Sequence, residues 1–168
     1  LLEALDALED PILRNAFLLL VETGARTSEV LRAKWEDLDL ETGIWSIPSP
    51  KAGIPQSIPL TSTSIKRLKT LARTGPWVCP GLTPFQHRTS LLPAWRALKA
   101  TARLSGLNLH DLRRTTGLAV YRTHGLLAAS KLLRHSDPRV TARVYVPLAP
   151  AELAAAAEAR VRALPRKV

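Results

Sequence analysis

Residues 23–40 read TGARTSEVLRAKWEDLDL, and this stretch predicts the end of one helix, the start of another and the approach to a strand. Gly24 ends the preceding helix, because glycine readily adopts the left-handed conformation that closes a helix. Thr27 or Ser28 is the predicted N-cap of the next helix, since a hydroxyl oxygen can accept a bond from an unpaired backbone N–H. The apolar face of that helix is expected to bury three side chains: Val30, Leu31 and Trp35.

The sequence on either side predicts a single domain over residues 1–168 that is mainly α with a small antiparallel β-sheet, an α+β fold. Residues 1–22 have helical apolar spacing that Pro11 divides. Residues 37–48 and 56–61 are typical of short strands, with a turn at Thr42–Gly43. The other predicted helices cover residues 61–73, 89–104, 109–124, 126–135, 136–146 and 151–164. The tryptophans are expected in the core: Trp35, Trp45, Trp77 and Trp95.

The composition indicates a globular protein with a strong positive charge. Of 168 residues, 46% are hydrophobic, and 24 lysines and arginines against 14 acidic residues give a net charge of +10. This excess favours nucleic acid as a partner. The apolar run at residues 16–21 is too short to cross a bilayer, and no membrane partner is predicted. The single cysteine, Cys79, favours a reducing cytoplasm, and the absence of methionine predicts a piece of a longer protein.

Residues 110–116 read HDLRRTT and place a histidine and an arginine on one helical face. His110 and Arg113 are three positions apart and lie one above the other, whereas Arg114 points elsewhere. Taken alone, such a stretch is more typical of a solvated, charge-rich helical turn than of a site.

The motifs of several catalytic classes are absent from the sequence. The histidines and the cysteine lack the spacing of a metal site, and there is no glycine-rich phosphate loop and no serine nucleophile elbow. The sequence therefore predicts no metal and no cofactor. Cationic side chains and hydroxyl groups remain as the candidate chemistry.

Three segments in order resemble the catalytic domain of the tyrosine recombinases, the phage-integrase family. Residues 23–38 resemble its box T-G-x-R-x-S-E-x-L-x-x-x-W-x-D-L, and residues 110–115 resemble its box H-x-L-R-x-T. Residues 133–145 resemble its third box, L-x-H-S followed about ten residues later by a tyrosine. The resemblance implies the DNA breaking–rejoining catalytic domain fold and a site-specific recombinase that acts on double-stranded DNA.

The resemblance also implies a catalytic set formed by Arg26, Lys51, His110, Arg113, His135 and Tyr145. The two arginines would hold the non-bridging phosphate oxygens, because guanidinium forks match them in parallel and stay charged. Tyr145 would attack the phosphate and form a covalent 3′-phosphotyrosine, its pKa lowered by nearby cations.

The remaining members of the set would move protons or bind the phosphate. His110 would help to accept the tyrosine proton, and His135 would donate a hydrogen bond to the phosphate. Lys51, which is the only lysine of the proline-flanked hairpin loop, would protonate the departing 5′ oxygen. Glu29 is assigned to positioning rather than to chemistry.

Some features depart from the family pattern or concern assembly. Arg134 stands where the family usually has glycine, and VPLAP follows Tyr145 in place of a small residue and a histidine. The N-terminal helical domain that closes around DNA is missing, so this fragment is expected to be a monomer in isolation and to bind DNA weakly. The resemblance implies a homotetramer on DNA, in which the predicted helix within residues 151–168 docks on a neighbouring subunit.

Alternative interpretations remain open at this level. An ion pair between Arg26 and Glu29 is as consistent with the local sequence as catalysis, and Tyr121 lies outside every box and is expected in the core. A type IB topoisomerase shares much of this active site, although the residues of the first two boxes favour the recombinase. A non-catalytic DNA-binding module that kept the fold is the third possibility.

Overall fold

The computed structural model describes residues 1–48, 56–135 and 137–145, and of Tyr145 it describes the backbone alone. The helices are α1 (Leu2–Asp6), α2 (Pro11–Thr23), α3 (Thr27–Leu31), α4 (Ser62–Thr70), α5 (Leu92–Thr101), α6 (Leu109–Leu132) and α7 (Pro138–Tyr145). The strands are β1 (Leu38–Asp39), β2 (Ile44–Ile47) and β3 (Gln56–Pro59), and a 3₁₀ turn at Trp35–Asp37 precedes β1. The predicted mainly α fold with a small antiparallel sheet is confirmed.

The sheet is antiparallel in the order β1–β2–β3, and one of its faces packs on the core. Trp45 pairs with Leu38 on one side and with Ile58 on the other, and all three side chains are buried. Gly43 has a φ of 71°, which the turn before β2 requires and which confirms the predicted turn. The alternation of buried and exposed residues along β2 therefore fixes its register.

Helix α2 runs through the core and carries the site-bearing turn at its end. Its start is set by Asp10, whose carboxylate accepts hydrogen bonds from the backbone N–H groups of Ile12 and Leu13 at 2.8 and 3.1 Å. Its end is set by Gly24, whose φ is 63° and whose N–H bonds to the carbonyl of Leu20. Helix α2 packs on α1, α3, α4 and α6, and Phe17 meets Trp95 of α5 with ring centroids 5.6 Å apart.

Helix α6 begins at residue 109, as the sequence predicted, and bends at Gly125, between the two predicted helices 109–124 and 126–135. The side chain of Asn108 accepts from the N–H groups of His110 and Asp111, and Asp111 accepts in return from the N–H of Asn108. Gly125, at φ 80° and ψ 178°, separates the two helical parts of α6. Ala119 is exposed on this helix, and His124 lies within it, just before Gly125.

The start and the length of α3 correct the sequence prediction. The N-cap is Arg26 rather than Thr27 or Ser28, because the Glu29 carboxylate already bonds the backbone N–H of Arg26 at 2.7 Å. The helix stops before Trp35, since the backbone there pairs with residues 76–78 through Trp35 N–H to Pro76 and Val78 N–H to Ala33.

Two of the tryptophans are only half-buried, and so is Tyr121, all of which were expected in the core. Trp35 lies beneath the guanidinium of Arg73, 4.6 Å from the ring centroid. Trp77 donates from its indole nitrogen to the carbonyl of Phe85. In each tryptophan a polar partner holds the ring at the edge of the domain.

Cys79 lies in the core of the domain. Cys79 is fully buried, and burial raises the pKa of its thiol to about 12, so it behaves as a small apolar group. In the described part of the chain, no helix is both long enough and apolar enough to span a bilayer. The predicted helix at residues 151–164 lies outside the described residues.

Candidate active site

Arg113 lies at the bottom of the candidate site and joins two separate turns. Its guanidinium donates from Nη1 to the carbonyl of Gly24 and from Nη2 to the carbonyl of Leu133. Gly24 lies shortly before Arg26, and Leu133 lies shortly before His135. The residue is only 4% exposed, so these charge-assisted bonds form away from bulk water. Arg113 therefore holds together the two chain segments that carry the other predicted cations.

Arg26 stands at the rim of the site and is held there by Glu29. The Glu29 carboxylate accepts from the Arg26 guanidinium and from the Arg26 backbone N–H, each at 2.7 Å. The Arg26 side chain remains 47% exposed, whereas that of Glu29 is 11% exposed. The expected ion pair between these residues is present. The ion pair leaves the Arg26 guanidinium at a surface that a ligand can reach. Pairing with Glu29 is therefore compatible with a catalytic role for Arg26.

The turn between α6 and α7 presents His135 toward these arginines. The backbone N–H of His135 bonds to the carbonyl of Ser130 at 3.1 Å, and its ring Nδ1 lies 2.7 Å from the hydroxyl of Thr141. Thr141 is fully buried, and the ring is the partner of its hydroxyl among the described residues. When the hydroxyl donates to Nδ1 of the neutral ring, the ring proton lies on Nε2.

The site is strongly cationic around His135. Burial lowers the pKa of His135, and the charges of Arg113, Arg26, His110 and Arg134 lower it further. His110, Arg113 and Arg26 thus lie close enough to His135 for their charges to act on its ring. His110 itself is exposed, whereas Arg114 points away and pairs with Asp111 at 3.4 Å.

Two predicted site residues are described in part or not at all. Tyr145 is the last residue of α7, which begins shortly after His135 and packs on α6; only its backbone is described. Lys51 lies outside the described residues. The residues on either side of its segment, Pro48 and Gln56, line the same pocket as Arg26.

This pocket, of about 820 Å³, opens between α3 and the β2–β3 hairpin. Arg26, Glu29 and Arg32 form its polar side, while Trp45 and Ile47 form part of its apolar side. The pocket therefore continues the cationic site from Arg26 toward the sheet.

The structure adds two residues that the sequence did not single out for this site. Thr141 fixes the His135 ring, but a threonine in HSDPRVT carries no local signal of that contact. Arg134 was noted only as a departure, yet it adds a further positive charge, and its side chain is 5% exposed and paired with Glu29. Both contacts depend on how α3, α6 and α7 meet.

The chain belongs to the phage integrase family, whose model matches residues 1–152. It is 30% identical over 97 residues to the shufflon-specific DNA recombinase of Escherichia coli, a match that covers 58% of this chain and 24% of that protein. It is 31% identical over 107 residues to tyrosine recombinase XerA of Pyrococcus furiosus, covering 60% of this chain and 37% of that protein. The chain thus spans well under half the length of these curated relatives.

Solved structures show the same fold. The Tn1549 transposon integrase in complex with a circular intermediate DNA has a TM-score of 0.78 at 15% identity, over 95% of this chain and 62% of that one. The XerA recombinase has a TM-score of 0.72 at 21% identity, over 99% of this chain and 62% of that one. The catalytic domain of bacteriophage HP1 integrase has a TM-score of 0.67 at 19% identity, over 99% and 92% of the two chains.

We expect His135 to titrate below 6.5, the ordinary pKa of histidine, and therefore to be neutral at pH 7. Because folding lowers this pKa, the unfolded chain binds the proton more tightly. The contribution to stability is thus complete above pH 6.5 and is lost as the pH falls toward the folded pKa. Proton NMR of the ring against pH measures the midpoint.

The Arg26→Ala variant provides the matched test of the cause. Removal of the Arg26 charge favours the charged imidazole, so the midpoint should move up toward the ordinary value. In Arg114→Ala, whose lost charge points away from the ring, the midpoint should stay in place. A wild-type midpoint at or above 6.5 would contradict the described environment.

Proposed function

We propose that the chain is the catalytic domain of a tyrosine-type site-specific DNA recombinase. The observation that carries this proposal is the convergence of Arg26, His110 and Arg113 around His135, one short helix from the backbone of Tyr145. A phosphodiester gains negative charge as an oxygen attacks it, and preorganised cations stabilise that charge. Such a cluster suits phosphoryl transfer to a tyrosine.

In the proposed reaction the Tyr145 oxygen attacks a backbone phosphorus of double-stranded DNA and the bond to the 5′ oxygen breaks. The tyrosine proton passes to a base, to which His110 contributes, and the departing 5′ oxygen receives a proton from Lys51. Arg26 and Arg113 bind the non-bridging oxygens, and Nε2–H of His135 donates to one of them. One phosphoester replaces another, so attack by a 5′ hydroxyl on the phosphotyrosine reseals a strand.

The geometry supports a place for Lys51 close to Arg26. Pro48 and Gln56, the described residues on either side of the segment that carries Lys51, line the pocket beside Arg26. Three residues of chain beyond Pro48 reach about 10 Å, and a lysine side chain extends further. A general acid in this segment would thus reach the scissile phosphate.

We further propose that residues 1–168 form one catalytic domain that acts on DNA in the cytoplasm. The core is continuous from α1 to α6, and the buried free thiol of Cys79 suits a reducing compartment. The Tn1549 integrase was solved with DNA, which supports DNA as the partner here.

Assembly into a tetramer on DNA is also part of the proposal. Leu127 of α6 and Val140 and Val144 of α7 are exposed apolar side chains. Exposed apolar side chains on the elements that flank the site suit contact with a neighbouring subunit. The last helix, within residues 151–168, is the proposed arm of that contact.

The decisive experiment traps the covalent intermediate. The protein is incubated with nicked duplexes of randomised sequence, in which the short released strand diffuses away and leaves the adduct behind. A denaturant-resistant protein–DNA band supports the proposal, and sequencing its DNA identifies the target. The absence of any adduct would favour the non-catalytic DNA-binding module.

The same selected site separates the recombinase from the topoisomerase alternative. A supercoiled plasmid that carries two copies of the site should yield recombinant products. Relaxation of the plasmid without strand exchange would indicate a topoisomerase. The family match favours strand exchange.

We expect Lys51→Ala to impair cleavage strongly on ordinary DNA and to be rescued when sulfur replaces the bridging 5′ oxygen. A thiolate is a much weaker base than an alkoxide and leaves without a proton, so the general acid is no longer needed. Single-turnover cleavage of the two substrates measures the rescue. Lys34→Ala is the control, because Lys34 is already engaged with Glu36 at 2.9 Å on the surface. Equal impairment of Lys51→Ala on both substrates would refute its assignment as the acid.

A further inference from the structure

Arg134 occupies a backbone position that is unfavourable for any residue other than glycine. Its φ is 53°, in the left-handed region, at the turn between α6 and α7. Residues with a Cβ atom adopt this conformation at a cost, and arginine is not among those that tolerate it best. Glycine would satisfy this turn with less strain. The reason for an arginine here therefore lies in its side chain.

The Arg134 side chain is buried and reaches from this turn to α3. Nη2 bonds to Oε2 of Glu29, and Nη1 lies 3.3 Å from the carbonyl of Leu132. The side chain is only 5% exposed, so it is too deeply placed to be a general surface contact for DNA. The paired residues are 105 positions apart in the sequence.

Glu29 is shared between Arg134 and Arg26. Its Oε1 accepts from the Arg26 guanidinium, while its Oε2 accepts from the Arg26 backbone and from Arg134. With both oxygens engaged, the carboxylate has a defined orientation, and so does the guanidinium that it holds. Arg113 joins the same two turns by bonds to the backbone carbonyls of Gly24 and Leu133. Through Glu29, the Arg134 side chain thus connects Arg26 to the turn that carries His135.

We propose that Arg134 is a positioning residue whose pairing with Glu29 aligns Arg26 and His135 on one phosphate. This inference rests on the proposed recombinase function. Arg134 itself does not touch the DNA; it acts through Glu29 on Arg26 and through the backbone on His135. A buried ion pair contributes little to net stability compared with apolar packing, so its benefit here is geometric.

The test compares Arg134→Gly with the wild type in single-turnover cleavage of the selected nicked duplex. Glycine keeps the turn and removes the strain, but the Glu29 carboxylate can then rotate. We expect cleavage to fall about 100-fold at saturating DNA, the scale of a small misplacement of catalytic groups. The dissociation constant for the same duplex should change by less than about threefold, because no proposed phosphate contact is lost.

Arg103→Gly is the matched control. Arg103 also has a left-handed φ of 52°, but it is exposed, and its side chain makes no hydrogen bond or ion pair with the described residues. Its replacement gives the same relief of strain without loss of a partner. Cleavage by this variant should stay within about twofold of the wild type.

Rescue and coupling distinguish positioning from a general loss of structure. Arg134→Lys restores a cation opposite Glu29 and should recover about tenfold of the lost rate. In the double variant with Glu29→Gln, Arg134→Gly should cost little more than Glu29→Gln alone, because the two residues act as one unit. Melting curves confirm that each variant is folded, and if Arg134→Gly is not, the cycle is run with Arg134→Lys.

The experiments distinguish a failure of the proposed function from a failure of the positioning role. A wild-type protein that forms no adduct defeats the proposed function. A wild type that forms the adduct beside an Arg134→Gly variant that cleaves equally fast overturns the positioning role. Additive losses in the Glu29 cycle, or a fall in DNA affinity that accounts for the whole loss of rate, overturn it as well.

Discussion

The Tyr145→Phe variant is expected to form no covalent adduct with DNA while its affinity for the same duplex stays within about twofold. The substitution removes the one hydroxyl assigned to attack and keeps the aromatic ring. Without a nucleophile, the phosphate remains bound by Arg26 and Arg113 but cannot be transferred. Denaturing electrophoresis of the trapped duplex measures the adduct, and fluorescence anisotropy measures binding.

Tyr121→Phe is the control, since Tyr121 is the other tyrosine of the chain and lies on α6, outside every site motif. This variant should form the adduct as the wild type does. If Tyr145→Phe still formed the adduct, the nucleophile would lie elsewhere, and Tyr121 would be the first residue to examine. A loss of binding together with the adduct would assign Tyr145 to structure instead of chemistry.

The local signals of the sequence predicted most of the fold. Gly24, Gly43 and Gly125 each act within a few residues of their own position, as a helix end, a turn and a break. The folded structure retains these local preferences because the groups that interact are neighbours in the chain. The helices and the sheet therefore lie close to where the pattern placed them.

The errors occur where a distant or competing partner decides. Arg26 caps α3 because the Glu29 carboxylate accepts a hydrogen bond from the backbone N–H of Arg26. The usual preference for a hydroxyl residue at the N-cap, which favours Thr27 or Ser28, takes no account of this bond. Trp35 leaves α3 because residues 76–78 pair with that part of the backbone. Tertiary pairing overrides local propensity in both places.

The motifs proposed the members of the candidate site but not the contacts that hold them in place. The motifs identified Arg26, His110, Arg113 and His135, and the structure brings these residues together. Their spacing gave no indication that Arg113 would be buried against two carbonyls, 89 and 20 residues away in the sequence. It likewise gave no sign that Arg134 would share Glu29 with Arg26. The roles of these residues in the reaction, like those of Lys51 and Tyr145, stay predictions until cleavage is measured.

The burial of Arg113 predicts a large effect for even its most conservative substitution. Arg113→Lys keeps the positive charge, but a single ammonium nitrogen cannot reproduce a fork that bonds Gly24 and Leu133 at once. One carbonyl then loses its partner in a buried position, which costs about 1–3 kcal/mol. At about 2–4 °C per kcal/mol for a chain of this size, the melting temperature should fall by several degrees.

Cleavage by Arg113→Lys should fall further than stability alone explains, by about 10³-fold or more, because two effects combine. Loss of one preorganised donor to the developing charge costs about 10²–10³-fold. The turns that carry Arg26 and His135 also lose their common tie, which misplaces both. Single-turnover cleavage at a temperature where the variant is folded measures the rate. Arg114→Lys, the adjacent residue with a 57% exposed side chain, should leave both rate and melting temperature nearly unchanged. An Arg113→Lys variant that cleaves at close to the wild-type rate would show that the fork is dispensable, and Arg113 would then be a structural tie without a part in the reaction.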